Sequence, residues 1–194
     1  MIKKFFTLVT VLAVSGCANF YTLEGVKYDS KEAFHQAVTQ KNTEALNSIQ
    51  PLPAPVTKMN LIMAIPSEAT IYTENIARTT KQNGRAPSGI LLERIENLTK
   101  ANFSMTKVFA DAVQKKGVYT SMKFMEMPSM AVSIEPSSST HVLYFSEPSI
   151  GTGQWFFATQ KGGKQVFGYD RSGAGPTAKV QAYVDAVMTQ AIRE

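Results

Sequence analysis

A nearly continuous apolar run in the first third of the chain constrains the fold most strongly. Residues 58–65 read Lys-Met-Asn-Leu-Ile-Met-Ala-Ile and end at Pro66. A run of this length without polar alternation is typical of a strand that is buried on both faces. The sequence therefore predicts a central strand with helical cover.

A long helix and a second strand are predicted after this run. Residues 90–116 place apolar side chains at helical spacing and end at Gly117, a residue suited to close a helix. Residues 118–126 then have the pattern of a strand. Strands 58–65 and 118–126 could therefore pair in parallel, joined by a right-handed crossover through helix 90–116.

The second half of the chain predicts a meander of strands and a final helix. Four further strands are expected, at residues 130–134, 141–145, 153–159 and 165–169. Residues 176–192 then repeat apolar side chains along one helical face, and Pro176 fits the first turn. The predicted fold class is therefore α/β (α+β): a mixed sheet with an antiparallel meander, helices packed on it and a C-terminal amphipathic helix.

A proline-rich segment suggests the domain boundary. Residues 30–49 have a helical pattern, and Asp29 stands at capping-box spacing before Glu32. Alternating prolines follow, at Pro51, Pro53 and Pro55, and this spacing favours an extended, stiff chain. The predicted organisation is a tether, N-terminal helix and linker over 17–55, followed by a single α/β domain over 56–194.

The first 17 residues have the pattern of an export signal. A short basic start containing Lys3 and Lys4 precedes an apolar stretch from Phe5 to Val14, which is too short to span a bilayer. The motif Val14-Ser15-Gly16-Cys17 follows, and it resembles the lipobox of bacterial lipoproteins. The resemblance implies that residues 1–16 are a signal peptide and that the Cys17 sulfur carries the lipid.

The resemblance also implies a compartment. A lipidated Cys17 would hold the protein on a membrane without a transmembrane helix. Ala18 stands where sorted lipoproteins of the inner membrane often have aspartate, so the periplasmic side of the outer membrane is expected, with the inner membrane as the alternative. Cys17 is the single cysteine, which excludes an intrachain disulfide.

The charge pattern does not indicate a nucleic-acid partner. The chain has 20 basic and 15 acidic side chains, and two of the basic ones lie in the export signal. No run of Lys or Arg is longer than two residues, and none is interleaved with aromatic residues. No cofactor is expected.

A cluster of methionines raises the alternative of a metal-binding protein. Met122, Met125, Met127 and Met130 fall within nine residues, and thioethers are soft ligands that select Cu(I). In a strand, however, Met125 and Met127 share one face while Met122 and Met130 point to the other. Packing in the core is therefore the favoured interpretation.

A second alternative is an envelope hydrolase. His141 would need a nucleophile such as Ser146, Ser149 or one of Ser137 to Ser139, but none stands in a nucleophile-elbow motif. The alternative of a small-ligand or metal-ion binding lipoprotein has a second candidate in the glycine-rich stretch Tyr169 to Pro176, which contains Arg171 and could hold an anion, yet lacks the spacing of a phosphate-binding loop. No catalytic residue is assigned, and the protein is not expected to be an enzyme.

Three consecutive aromatic residues provide the candidate partner contact. Trp155, Phe156 and Phe157 lie in a predicted strand, so at least one ring must face away from the core. The predicted partner-binding residues are these three and Arg171. The function expected from the sequence is that of a membrane-anchored, non-catalytic accessory or docking subunit of an envelope assembly, with a protein partner.

Overall fold

The computed structural model describes residues 21–23, 25–149, 152–161, 163–169 and 176–193. Within them the chain forms a short hairpin, four helices and a five-stranded sheet. The hairpin is β1 (Thr22–Leu23) and β2 (Val26–Lys27), and the helices are α1 (Lys31–Ser48), α2 (Glu68–Asn83), α3 (Ile90–Lys116) and α4 (Pro176–Arg193). The sheet strands are β3 (Thr57–Pro66), β4 (Tyr119–Met127), β5 (Thr140–Ser149), β6 (Thr152–Thr159) and β7 (Gly163–Tyr169).

The sheet is mixed, with strand order β4-β3-β5-β6-β7. Strand β3 pairs in parallel with β4 on one side and with β5 on the other, whereas β5, β6 and β7 form an antiparallel meander. The predicted fold class and the parallel pairing of β3 with β4 are confirmed. Because β3, β4 and β5 run in the same direction, their carboxyl ends meet at one edge of the sheet.

The main core lies between the sheet and a layer that contains all four helices. Alternate residues of the central strands point into it, and each helix contributes buried aliphatic or aromatic side chains. Its sheet members include Leu61, Met63, Leu143, Phe145, Trp155 and Phe157, and its helix members include Ala45, Ile49, Ile71, Phe109, Val113, Val180, Val184 and Val187. Helix α1 therefore shares this core, although the sequence alone places residues 17–55 outside the α/β domain.

The opposite face of the sheet is covered by a loop segment. A smaller cluster of Ala64, Met127, Val142 and Tyr144 lies there under Val132 and Ile134. The expectation that helices cover β3 therefore holds for one face only.

The segment that supplies this cover is not a strand, and the prediction of a strand at 130–134 is wrong. Val132 and Ile134 pack on the smaller cluster and Met130 packs with the main core, so the alternation resembles a strand pattern although the segment pairs with no described strand. Its hydrogen bonds are local or go to side chains: the Val132 amide donates to the Ser129 carbonyl at 3.5 Å, and the Met130 amide donates to Oε1 of Glu74 at 2.9 Å. The Ser133 hydroxyl donates to the Tyr144 hydroxyl at 3.3 Å.

The helix ends follow local rules. Gly117 has φ of 71° and closes α3 in the left-handed conformation, as predicted. Ser67 caps α2 by accepting a hydrogen bond from the Thr70 amide. The cap of α1 is Ser30, not Asp29, since the Ser30 hydroxyl accepts from the Ala33 amide at 3.1 Å. Among the described residues, no helix combines the length and apolarity that a membrane crossing requires.

Candidate docking surface

The three consecutive aromatic residues of β6 divide between the two faces of the sheet. Trp155 and Phe157 are fully buried in the main core. The Trp155 ring packs edge-on against Phe109 at 4.9 Å and against Phe145 at 5.6 Å between ring centroids. The prediction that Trp155 and Phe157 contact a partner is therefore wrong, because their parity along the strand directs them toward the helices.

Phe156 points to the opposite face, because successive side chains of a strand alternate between the two faces of the sheet. It stacks on Tyr144 with ring centroids 5.1 Å apart and planes 14° from parallel, and it is half-buried beside the smaller cluster. Its role in partner binding stays a prediction. Arg171, the fourth predicted contact, lies outside the described residues, as does most of the glycine-rich stretch around it.

The four clustered methionines do not meet. Met122 and Met130 pack with the main core, and Met125 and Met127 pack with the cluster on the opposite face. The sheet thus lies between the two pairs, which favours the interpretation as core side chains over a shared copper site. No group of three or more His, Cys, Asp or Glu side chains that could hold a metal ion occurs within the part of the chain that the structure describes.

His141 is an interior residue at the start of β5. It is 1% exposed, and its Nδ1 lies 3.1 Å from the Tyr119 hydroxyl, while its ring packs edge-on against Phe157. Burial raises the pKa of Tyr119, which keeps the phenol protonated. Ser137 has a turn role, since its hydroxyl accepts from the Ser139 amide at 3.4 Å. These contacts are those of a packed strand and a turn rather than of a nucleophile and its base.

Polar side chains also join α2 to the sheet near the carboxyl ends of the parallel strands. Arg78 donates from Nη2 to the backbone carbonyl of Glu147 at 2.7 Å. The buried Asn75 amide donates to the Thr99 hydroxyl of α3 at 3.3 Å. These contacts fix α2 against β5 and α3, so they position the helix whose first turn borders the groove described next.

The open feature of the molecule is the outer edge of β4. This strand is the first in the sheet order, and no described strand pairs with its outer side. An edge strand of nine residues presents a row of main-chain N–H and C=O groups to the surroundings. Phe124, in the middle of this edge, is 44% exposed.

A groove of about 390 Å³ lies beside this edge on the helix side of the sheet. Strand β3 and its end contribute the floor, α3 contributes one wall, and β4 contributes the other. Its lining is mostly apolar and comprises Met63, Ile65, Pro66, Ser67, Phe103, Lys107, Ala110, Asp111, Phe124, Met125 and Glu126. We call this groove together with the outer edge of β4 the β4 docking surface.

The charged groups of the β4 docking surface carry both signs. Lys107 and Asp111 stand one turn apart on α3, and Glu126 lies across the groove on β4. Partial burial raises the pKa of the Asp111 carboxyl, and the neighbouring Lys107 opposes this effect. The surface thus combines an exposed aromatic ring, open main-chain groups and a few flanking charges, which suits contact with a polypeptide.

Sequence reasoning found β4 as a strand but not as a docking surface. Whether a strand lies at the edge depends on the order of strands in the sheet, and that order cannot be read from the sequence. The available signal was the pair of charged residues Lys123 and Glu126 around Phe124, because charges on a strand are a common protection of an exposed edge.

Comparison with known proteins identified no relative of this chain. No protein-family model matches the chain, and no curated protein or solved structure matches it. The functional reading therefore depends on the residues and geometry described above.

Proposed function

We propose that the protein is a lipid-anchored, non-catalytic docking subunit of a bacterial envelope assembly, and that it binds an extended segment of a partner protein at the β4 docking surface. The anchor is the lipidated Cys17 that the lipobox-like motif implies, on the periplasmic side of the outer membrane, with the inner membrane as the alternative. The open edge of β4 beside the groove is the observation that supports docking.

Strand addition accounts for both parts of the surface. An extended segment alongside β4 would satisfy the main-chain groups of the outer edge, while alternate side chains of that segment would enter the groove beside Phe124. The groove is open to the surroundings rather than enclosed, and most of its lining is apolar. A small ligand is usually enclosed and held by converging polar groups, so this shape favours a polypeptide.

The non-catalytic part of the proposal is supported by where the reactive side chains lie. The described titratable groups that line the groove are Lys107, Asp111 and Glu126. His141 lies in the core on β5, one strand beyond β3 from this edge. The groups at the groove can therefore form ion pairs with a partner, and the histidine most suited to proton transfer is placed elsewhere.

Photocrosslinking in living cells tests the proposal. A photoreactive amino acid at Lys107, an exposed groove residue, is expected to form adducts with one partner through a single extended segment, as mapped by mass spectrometry. A synthetic peptide of that segment should then slow amide hydrogen exchange across residues 119–127. Slower exchange along the whole strand is the signature of added strand pairing rather than of side-chain contact alone.

A matched pair of variants controls the experiment. Phe124→Asp places a charge at the centre of the surface and should abolish the adducts from position 107. Ile192→Asp changes a side chain of similar exposure, 61% against 44%, at the far end of α4 and should leave them intact. The proposal is wrong if the folded, anchored protein gives no adduct from position 107, or if Phe124→Asp leaves the adducts unchanged.

A further inference from the structure

The segment that follows the predicted anchor is packed onto one end of the helical layer. The Tyr21 hydroxyl donates to Oε1 of Glu93 at 2.6 Å, near the start of α3. The Tyr21 carbonyl accepts from the Tyr28 amide at 2.8 Å, which closes the hairpin. The rings of Tyr21 and Tyr28 both contact the buried Phe34, at 6.1 and 6.2 Å between centroids.

This packing leaves very little free chain before the anchor. Only four peptide units separate Cys17 from Tyr21, and even fully extended they reach about 14 Å. A lipid on Cys17 therefore holds the start of α1 and the start of α3 close to the bilayer. We call this region, formed by residues 21–23, 25–31 and 90–94, the tether-proximal end.

Two of the most exposed aliphatic side chains lie at the tether-proximal end. Val26, in the hairpin, is 54% exposed, and Ile90, the first residue of α3, is 64% exposed. Ile90 precedes Glu93 by three residues, so it shares the helix face to which Tyr21 is bonded. The hairpin and the first turn of α3 thus bring two exposed apolar side chains and two tyrosines to the same end of the molecule.

We infer that the tether-proximal end is a membrane-contact surface that rests on the lipid bilayer, with Val26 and Ile90 in the interfacial region. This inference rests on the proposed anchoring through Cys17. The bilayer is the contact we infer, because the short chain between Cys17 and Tyr21 places Val26 and Ile90 next to the membrane. Aliphatic side chains gain by leaving water, and tyrosine suits an interface between water and lipid.

The tether-proximal end has no excess of positive charge that would favour anionic lipids over neutral ones. Lys27 and Arg94 are balanced there by Asp29 and Glu93, and Lys31 forms an ion pair with Glu96 at 3.3 Å. The contact is therefore expected to persist at raised salt and on vesicles of neutral lipid, unlike the binding of a basic patch.

The membrane-contact surface also leaves the β4 docking surface free. Lys107 lies 14 residues beyond Glu93 along α3, which is about 20 Å of helix. The docking groove is therefore separated from the tether-proximal end along the helix axis, so both surfaces can be occupied at once.

Site-specific labelling tests the inference. A lipidated Cys17 has no free thiol, so a cysteine introduced by Val26→Cys or Ile90→Cys is the only reactive one. Each lipidated full-length variant is labelled with an environment-sensitive fluorophore and reconstituted in phosphatidylethanolamine vesicles with a minority of phosphatidylglycerol. Quenching by aqueous iodide is then measured on the vesicles and in detergent-free buffer for the unlipidated Cys17→Ser form.

Ile192→Cys is the matched control. Its side chain is 61% exposed, nearly the same as Ile90, and it lies near the end of α4. Helix α3 ends where β4 begins, and α4 follows β7, which runs in the same direction as β4, so both helices run from the carboxyl edge of the sheet toward its amino edge. The end of α4 therefore lies opposite the start of α3.

On the vesicles, iodide quenching is expected to fall several-fold at positions 26 and 90 and to stay unchanged at position 192. Equal quenching at all three positions of the anchored protein would overturn the membrane-contact inference and leave the anchoring proposal intact. If a Cys17→Ser form that lacks residues 1–16 fractionates with membranes as well as the native protein does, the anchoring proposal itself fails.

Discussion

Replacing Trp155 by alanine tests whether this residue belongs to the core rather than to an interface. Trp155 is 0% exposed and packs edge-on against Phe109 and Phe145. Removing a fully buried tryptophan costs about 3–5 kcal/mol, from lost transfer free energy and from the cavity that remains. Natural domains have an unfolding free energy of about 5–15 kcal/mol, so the loss is a large fraction of the total.

Phe156→Ala provides the comparison within the same strand. Phe156 is half-buried on the opposite face and stacks on Tyr144 at 5.1 Å between ring centroids. Its removal is expected to cost about 1–2 kcal/mol, because less apolar area is lost than at a fully buried position. Replacing Trp155 should therefore cost about 1–4 kcal/mol more than replacing Phe156.

Trp155→Phe separates ring packing from the indole N–H. Within the described part of the chain, Nε1 of Trp155 is buried and has no hydrogen-bond partner. Phenylalanine keeps an aromatic ring against Phe109 and Phe145 and removes a buried donor that costs about 1–3 kcal/mol when it is left unsatisfied. We expect Trp155→Phe to lose less than about 1 kcal/mol, since the smaller ring and the removed donor offset each other.

Urea unfolding followed by circular dichroism measures all three variants in a Cys17→Ser form that is produced without the leader. With a slope of about 2 kcal/mol per molar urea, Trp155→Ala should lower the midpoint by about 2 M at unchanged slope. The core assignment is refuted if Trp155→Ala shifts the midpoint no further than Phe156→Ala.

Three further changes follow from the same contacts. Gly117→Ala should lower the unfolding free energy by about 1–2 kcal/mol, because φ of 71° disfavours a side chain although no atom lies within 4 Å, and urea unfolding checks this. In the folded protein the pKa of His35 lies below its usual 6.5, chiefly because the ring is partly buried and also because Lys100 and Lys31 are near. The unfolded chain therefore binds a proton at this histidine at a higher pH than the folded chain does. Stability should fall as the pH drops below about 6.5. His35→Gln should make that fall shallower in unfolding curves recorded across this pH range. Phe124→Asp should change the unfolding midpoint little, since the side chain is 44% exposed, and a loss as large as that of Trp155→Ala would contradict its surface position.

The sequence was most informative where neighbouring residues alone determine the local structure. The long apolar face of α3, the left-handed closure at Gly117 and the buried run of β3 each predicted the observed element. The parallel pairing of β3 and β4 followed from the helix between them. These features depend on spacing and on backbone conformation, which are properties of neighbouring residues.

The sequence was least informative where the outcome depends on distant partners. The alternation of Met130, Val132 and Ile134 fits a strand, but the segment covers the smaller cluster without strand pairing. Alternation along β6 indicated that the three rings divide between two faces, yet not which face is the core. The open edge of β4 follows from sheet order alone, so the β4 docking surface could not be found before the fold was known.

The intact mass of the native protein, purified from membranes, tests the central claim that the chain is anchored through Cys17. We expect a mature chain that begins at Cys17 and carries acyl groups at that first residue, with fragmentation placing the lipid on the cysteine. A chain that begins elsewhere, or a Cys17 with a free thiol, would contradict the anchor and remove the basis for both the docking proposal at the membrane and the orientation of the tether-proximal end.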